Sequence, residues 1–210
     1  MEFARVVRRR RMVRRYDPDR PVPEALVRAC LANAIRAPSA GFTQGWDFLV
    51  LSTPEQRATF WGATTDPDAP VDSWLAGVRT APVLVLCLAD RQAYLDRYAE
   101  PDKGASDRSE ARWPVPYWDV DTGMAALLIM LTAVDLGLGA LFFGVPATRH
   151  TGVLSVFGVP PARRIVGVVS LGYAVPHPPG ASLRRGRREV DEVAHWGRWA
   201  ARPQDPGAGR

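Results

Sequence analysis

Lysine is nearly missing from this chain: of its 27 basic residues only Lys103 is a lysine, and the rest are arginine. The basic side chains gather at residues 5–15 and 184–188, without the interleaved aromatics of a single-strand nucleic-acid binder. The formal charge of +5 therefore reads as compositional bias around a local anion site, and no nucleic-acid partner is expected. Cysteine is scarce as well. Cys30 and Cys87 stand far apart, with no CxxC spacing and no histidine cluster, which argues against a zinc site or a disulfide framework and leaves two small apolar core residues. Long apolar runs are absent: the most apolar stretch, residues 124–134, falls short of the roughly 20 residues of a spanning helix. It reads as a buried helix, and no membrane partner is expected. The opening residues lack the uninterrupted apolar stretch of a secretory signal, so the cytoplasm is the expected compartment.

At 210 residues the chain is long enough to bury a sizeable core of its own. Residues 22–35 place Leu26, Val27, Cys30, Leu31, Ala34 and Ile35 at helical spacing behind Pro23 and Glu24, residue types suited to a helix N-terminus. Residues 47–51 read as a short strand. Thr53-Pro54-Glu55-Gln56 then offers a threonine cap, a first-turn proline and a glutamine three residues after the cap, so a helix follows. Residues 82–89 and 165–171 are unbroken apolar runs, as expected of central strands covered on both faces. Between them, residues 100–116 are polar, charged and proline-bearing, a loop that could serve as a lid.

Residues 119–136 predict the most apolar helix, with Asp119 and Asp121 favourable at its N-terminus and Gly137 available to end it. Its apolar residues run nearly all round, which suits a core or a subunit interface. Residues 184–199 follow the last strand as an arm. The mixture of strands and helices predicts an α/β (α+β) sandwich, a sheet with helices on both faces, in a single domain over residues 1–200 with 201–210 as a flexible tail.

Three distant segments carry the chemistry. In Arg10-Arg11-Met12-Val13-Arg14-Arg15-Tyr16 several guanidinium groups crowd a short stretch, and their rigid forks of donors match phosphate oxygens. Taken alone, however, the segment reads as a solvated basic arm. Ala37-Pro38-Ser39-Ala40-Gly41-Phe42-Thr43-Gln44-Gly45-Trp46 puts small and polar residues between a helix and a strand, where backbone can come close to a flat ligand. Leu136-Gly137-Leu138-Gly139-Ala140-Leu141-Phe142-Phe143-Gly144 reads as a helix end, a short strand and a glycine.

Together and in this order these segments resemble the nitroreductase family of FMN enzymes. The opening motif is similar to the family's RRSxR phosphate contact, the second to its APSxxNxQPWxF signature, and the third to its LGLGxxWIGxF segment. Leu171-Gly172-Tyr173, then Arg184-Arg185-Gly186-Arg187-Arg188 and Val193-Ala194-His195-Trp196, resemble its LGYP, basic pair and VVHW ending. The resemblance implies a central mixed, mostly antiparallel sheet flanked by helices, a C-terminal arm reaching the partner subunit, and a homodimer with two FMN sites.

By that resemblance Arg10, Arg11 and Arg14 approach the FMN phosphate and the polar edge of the ring, and Arg185 and Arg187 complete the phosphate site. Met12 stands where the family has serine, so a hydroxyl contact is lost and the backbone remains. Pro38, Ser39, Ala40 and Phe42 reach the flavin from the other subunit, with Phe42 replacing an asparagine on the substrate side. Gly144 brings a backbone N–H near the flavin N5.

The implied activity is two-step: NADH or NADPH delivers hydride, and an electron-poor acceptor, a nitroaromatic, quinone or similar small aromatic, then takes the electrons. The cofactor carries the chemistry, so no metal and no catalytic side chain is expected, and Ser39, Asp119, Asp121, His150 and His195 read as structural, with His195 packing or capping near Trp196. In Trp113-Pro114-Val115-Pro116-Tyr117-Trp118, Trp113 reads as a substrate contact and Trp118 as packing at the dimer interface. The wording around Phe42 is also similar to the flavin-fragmenting branch that makes dimethylbenzimidazole, and a non-enzymatic flavin binder of the same fold is a further alternative.

Overall fold

The computed structural model describes residues 1–66, 68–104, 107–177 and 181–199; the expected tail 201–210 lies outside them. The chain divides into two compact units, Met1–Pro176 and a second beginning at His177.

The first unit contains α1 (Phe3–Arg9), α2 (Glu24–Ala34), β1 (Trp46–Leu51), α3 (Pro54–Thr64), α4 (Ser73–Val78), β2 (Val83–Asp90), α5 (Arg91–Tyr98), α6 (Tyr117–Asp135), β3 (Gly139–Phe143), α7 (His150–Val156) and β4 (Arg163–Gly172). The sheet order is β1-β2-β4-β3, and neighbouring strands are antiparallel. A single bridge from Met12 to Ala140 is parallel. The two unbroken apolar runs occupy the two central places, as their composition requires. Side chains alternate across a strand, so Val83, Val85 and Cys87 of β2 enter one layer with Val27, Cys30, Ala125 and Ile129. Leu84, Leu86 and Leu88 enter the other, with Phe60, Trp61, Val153 and Leu154. Helices α2 and α6 thus cover one face, and α3 and α7 the other. Both cysteines are free and buried, and burial pushes their thiols up, to about 11 for Cys30 and about 12 for Cys87.

The capping box of α3 forms as its sequence predicts: Gln56 N donates to Thr53 Oγ1 at 3.3 Å, and Thr53 N donates to Gln56 Oε1 at 3.1 Å. At 19 residues, α6 is longer than its most apolar stretch suggested, and by length and composition it is sufficient to cross a membrane. Its buried residues Ala125, Ala126, Ile129, Met130 and Ala133 belong to the core over the sheet. It ends at Gly137, whose φ of +79° permits the left-handed turn in which Leu138 N donates to Ala133 O (2.7 Å) and Gly137 N to Val134 O (3.1 Å). On its other side Val120 and Leu127 are exposed, and Met124, Leu131 and Val134 are half-buried.

The basic opening of the chain is more ordered than an arm. Residues 3–9 form α1, and the extended stretch after it joins the sheet edge, where Val13 N donates to Ala140 O at 2.9 Å. Tyr16 pins this stretch to the core. Its buried hydroxyl donates to Val13 O at 2.8 Å and lies 2.8 Å from the Ser170 hydroxyl, while burial holds the phenol protonated far above its ordinary range. Tyr16→Phe takes this partner from the Val13 carbonyl and from the Ser170 hydroxyl, an expected loss of about 1–3 kcal/mol; urea unfolding against the native chain checks it, and an unchanged midpoint would mean that packing alone holds the segment.

Candidate functional site

The arginine stretch is carried on the β3 edge by close backbone approaches. A Cβ at Gly139 would lie 2.9 Å from the Val13 side chain, and one at Gly77 would lie 2.3 Å from the Arg14 carbonyl oxygen, so glycine is required at both places. Arg10 and Arg14 are half-buried and Arg11 is exposed. None of their guanidinium groups makes a hydrogen bond or ion pair among the described residues, whereas Arg97, Arg112 and Arg163 each face a carboxylate. Met12 turns its side chain into the core. The stretch is therefore an ordered patch of cations with no counter-charge of its own.

The second segment precedes β1. Ala40–Phe42 forms a 3-10 turn, and Gly41, Phe42 and Gln44 all take left-handed backbone, with φ of +63°, +55° and +54°. For the two non-glycine residues this costs about 1–2 kcal/mol each, so the loop must be held from outside. Asp121, 1% exposed, supplies the main hold: its Oδ2 accepts from Ala40 N and from the Tyr94 hydroxyl, each at 2.8 Å. Arg97 Nε donates to Gly41 O at 3.0 Å, and Gln44 N to Ser39 Oγ at 2.9 Å. The phenol of Tyr94 is pushed far up, by burial first and by Asp121 second. Phe42 stands 77% exposed on this held loop, an apolar ring with no cover in its own chain.

The role of Asp121 differs from the sequence expectation. Because α6 begins at Tyr117, two residues earlier than expected, Asp121 lies inside the helix and serves the loop, and Pro116 occupies the cap. Asp119 sits on the first turn with Oδ2 3.3 Å from Arg164 Nη1, and burial raises its carboxyl despite that cation. Trp118 also departs from expectation. It is 5% exposed in a single chain and packs on Tyr94 and Trp113, so it fills its own subunit. Trp113 is half-buried in the same aromatic cluster and lines a cavity of about 440 Å³ that also borders Ala40.

Gly144 is exposed immediately after β3 and lines a cavity of about 280 Å³ with Trp61, Trp74 and Phe143. His150 Nε2 lies 3.0 Å from Val145 O, a structural contact. In the second unit Arg185 ends the 3-10 segment Ala181–Arg185, and Arg187 is exposed. His195 stacks on Trp199 at 4.1 Å, a different tryptophan from the expected Trp196. Among the described residues no group of three or more His, Cys, Asp or Glu is placed to hold a metal ion.

Within one chain these parts fall into two groups. The arginine stretch and Gly144 belong to the β3 edge, and the loop of Pro38, Ser39, Ala40 and Phe42 leads into β1 at the opposite edge. Three strand spacings, roughly 14 Å, separate the edges. The loop depends on the Asp121 carboxylate in a testable way. Asp121→Ala strands the Ala40 amide and the Tyr94 hydroxyl and is expected to cost about 1–3 kcal/mol, while Asp121→Asn, which keeps an acceptor oxygen, costs less. Denaturant midpoints of the two variants check the order; equal losses would mean that side-chain volume, not the acceptor, matters.

The sequence profile described as the Nitroreductase family matches residues 7–173. An NADH dehydrogenase of Thermus thermophilus is 30% identical over 183 residues, covering 79% of this chain and 83% of that protein. A protein assigned as an NADH dehydrogenase/NAD(P)H nitroreductase of Methanothermobacter thermautotrophicus is 29% identical, with 85% of this chain and 80% of that protein covered. Among solved structures, a protein from Desulfovibrio desulfuricans assigned as a nitroreductase and crystallised with FMN superposes with a TM-score of 0.70 at 23% identity, over 95% of this chain and 99% of that one. A nitroreductase family protein of Streptococcus pneumoniae gives 0.69 at 19% identity, over 92% and 99%. These structural likenesses concern the fold.

Proposed function

This chain belongs to the Nitroreductase family, and from that premise we propose that it is an FMN-dependent oxidoreductase that works as a homodimer in the cytoplasm, where thiols such as Cys30 and Cys87 stay reduced. The observation that carries the proposal is the ordered, uncompensated cluster of Arg10, Arg11 and Arg14 on one sheet edge, opposite a held, strained loop on the other. That pairing suits a ligand with an anionic tail and a flat head. A phosphate matches the guanidinium forks bidentately, and a planar ring matches the exposed face of Phe42. When bound, FMN supplies hydride chemistry, accepting electrons from NADH or NADPH and passing them to an electron-poor acceptor such as a nitroaromatic or a quinone.

The chain's own residues bind and orient. Arg10, Arg11 and Arg14 neutralise phosphate and lower the cost of negative charge gathering nearby. Met12 contributes backbone only, and Gly144, lacking a side chain, leaves its peptide open to the ring. Pro38, Ser39, Ala40 and Phe42 serve the site of the partner subunit by family resemblance, a role consistent with their place on the edge opposite the arginines. Phe42 and Trp113 face the acceptor. Arg185 and Arg187 are assigned to the phosphate by family resemblance. The dimer is proposed to form on the outer face of α6, where the exposed Val120 and Leu127 and the half-buried Leu131 and Val134 recur at helical spacing.

The first check is the visible spectrum of the purified protein, followed by anaerobic addition of NADH or NADPH. A yellow protein that bleaches supports the reductase, and a colourless protein that takes up no added FMN refutes it. Arg14→Ala is expected to weaken FMN binding by about 1.5–3 kcal/mol, as measured by flavin fluorescence titration; undiminished affinity removes Arg14 from the site. Leu127→Glu is expected to sediment as a monomer with little bound flavin, and a loaded dimer would place the interface elsewhere.

A further inference from the structure

The cavity of about 440 Å³ beside Ala40 has walls of two kinds. Tyr98, Trp113 and Tyr117 form an aromatic side, with Trp113 edge-on to Tyr98 at 4.7 Å and 6.0 Å from Tyr117. Arg108 and Arg112 line the same space. Each of these exposed arginines pairs with a carboxylate through one atom: Arg108 Nε donates to Asp96, and Arg112 Nε donates to Asp107 at 2.9 Å. The terminal nitrogens of both make no hydrogen bond among the described residues. A guanidinium paired only at Nε keeps its outer N–H groups available, and two such groups in one cavity suit a bidentate anion. An aromatic wall with a few convergent polar groups is the usual composition of a small-molecule site, and the volume lies in the usual range.

We propose that this cavity binds a planar aromatic ring carrying an anionic group, and that it makes aromatic carboxylates the preferred acceptors of the enzyme. The ring packs on Trp113 and Tyr98, and the carboxylate is shared by Arg108 and Arg112. The proposal rests on the flavin reading, because Ala40 belongs to the loop assigned to FMN. It also assigns a task to the charged segment of residues 107–113 that the cofactor does not require. The same chemistry would suit a phosphate of the nicotinamide donor, and the experiment separates the two sources.

Equilibrium dialysis of the oxidised dimer, without electron donor, compares 4-nitrobenzoate with 4-nitrobenzamide, which has the same ring and nitro group but no charge. The expected result is roughly tenfold tighter binding of the carboxylate, a preference reduced to near parity in the R108Q/R112Q double variant. Arg112→Lys, which keeps the charge but loses the fork, should retain part of it. Equal binding of the two ligands to the native protein overturns the proposal, as does a preference that survives the double variant or an equal loss of both ligands in it. A double variant that instead loses discrimination between NADPH and NADH assigns the cavity to the donor phosphate and overturns the acceptor assignment. Dialysis needs no turnover, so the flavin reading fails separately: a protein that shows the arginine-dependent preference yet neither holds nor bleaches FMN keeps the cavity and loses the cofactor.

Discussion

The structure depends on one constraint, that β2 and β4 are covered on both faces. Strands that are apolar along most of their length must send alternate residues into two separate layers, and each layer then needs its own helices. Val83, Val85 and Cys87 require α2 and α6; Leu84, Leu86 and Leu88 require α3 and α7. With both faces occupied, the sheet has only its edges left for ligand contacts. β1 and β3, the edge strands, are where the two proposed half-sites gather, on opposite sides of the sheet.

Each half-site carries a cost that the surrounding fold offsets. On the β3 edge the cost is electrostatic, several cations in a short stretch, and the hold comes from the Tyr16 hydroxyl and from glycines at 77 and 139 that admit the backbone. On the β1 edge the cost is conformational, with Phe42 and Gln44 in left-handed backbone, and a buried carboxylate offsets it. Asp121 is buried where an unpaired carboxylate would be expensive, yet it accepts from a loop amide and a phenol on different elements. That bond ties the core helix, α5 and the loop together.

Much of this was legible in the sequence. The apolar runs, the capping box at Thr53 and Gln56, the glycine at 137 and the order of the three motifs all depend on neighbours within a few residues or on composition alone, so they can be read along the chain. The expected α6 start was two residues late because Tyr117 and Trp118 looked like part of a proline-bearing loop. Trp118 was assigned to an interface because an aromatic residue before a buried helix does not declare which surface it fills. Helix α1 was hidden by its arginines, whose charge suggested a solvated arm although most of them are good helix formers.

The sequence by itself determined the two-layer core, the family resemblance and the identity of the cationic stretch, because hydrophobic period and residue chemistry are local properties. Only the tertiary structure decided what the polar residues are for. Asp121 and Ala40 are 81 positions apart, and Asp121 and Tyr94 are 27 apart. Hydrogen bonds act over about 3 Å of space, and no periodicity encodes which distant donor a carboxylate meets once the sheet has closed its core.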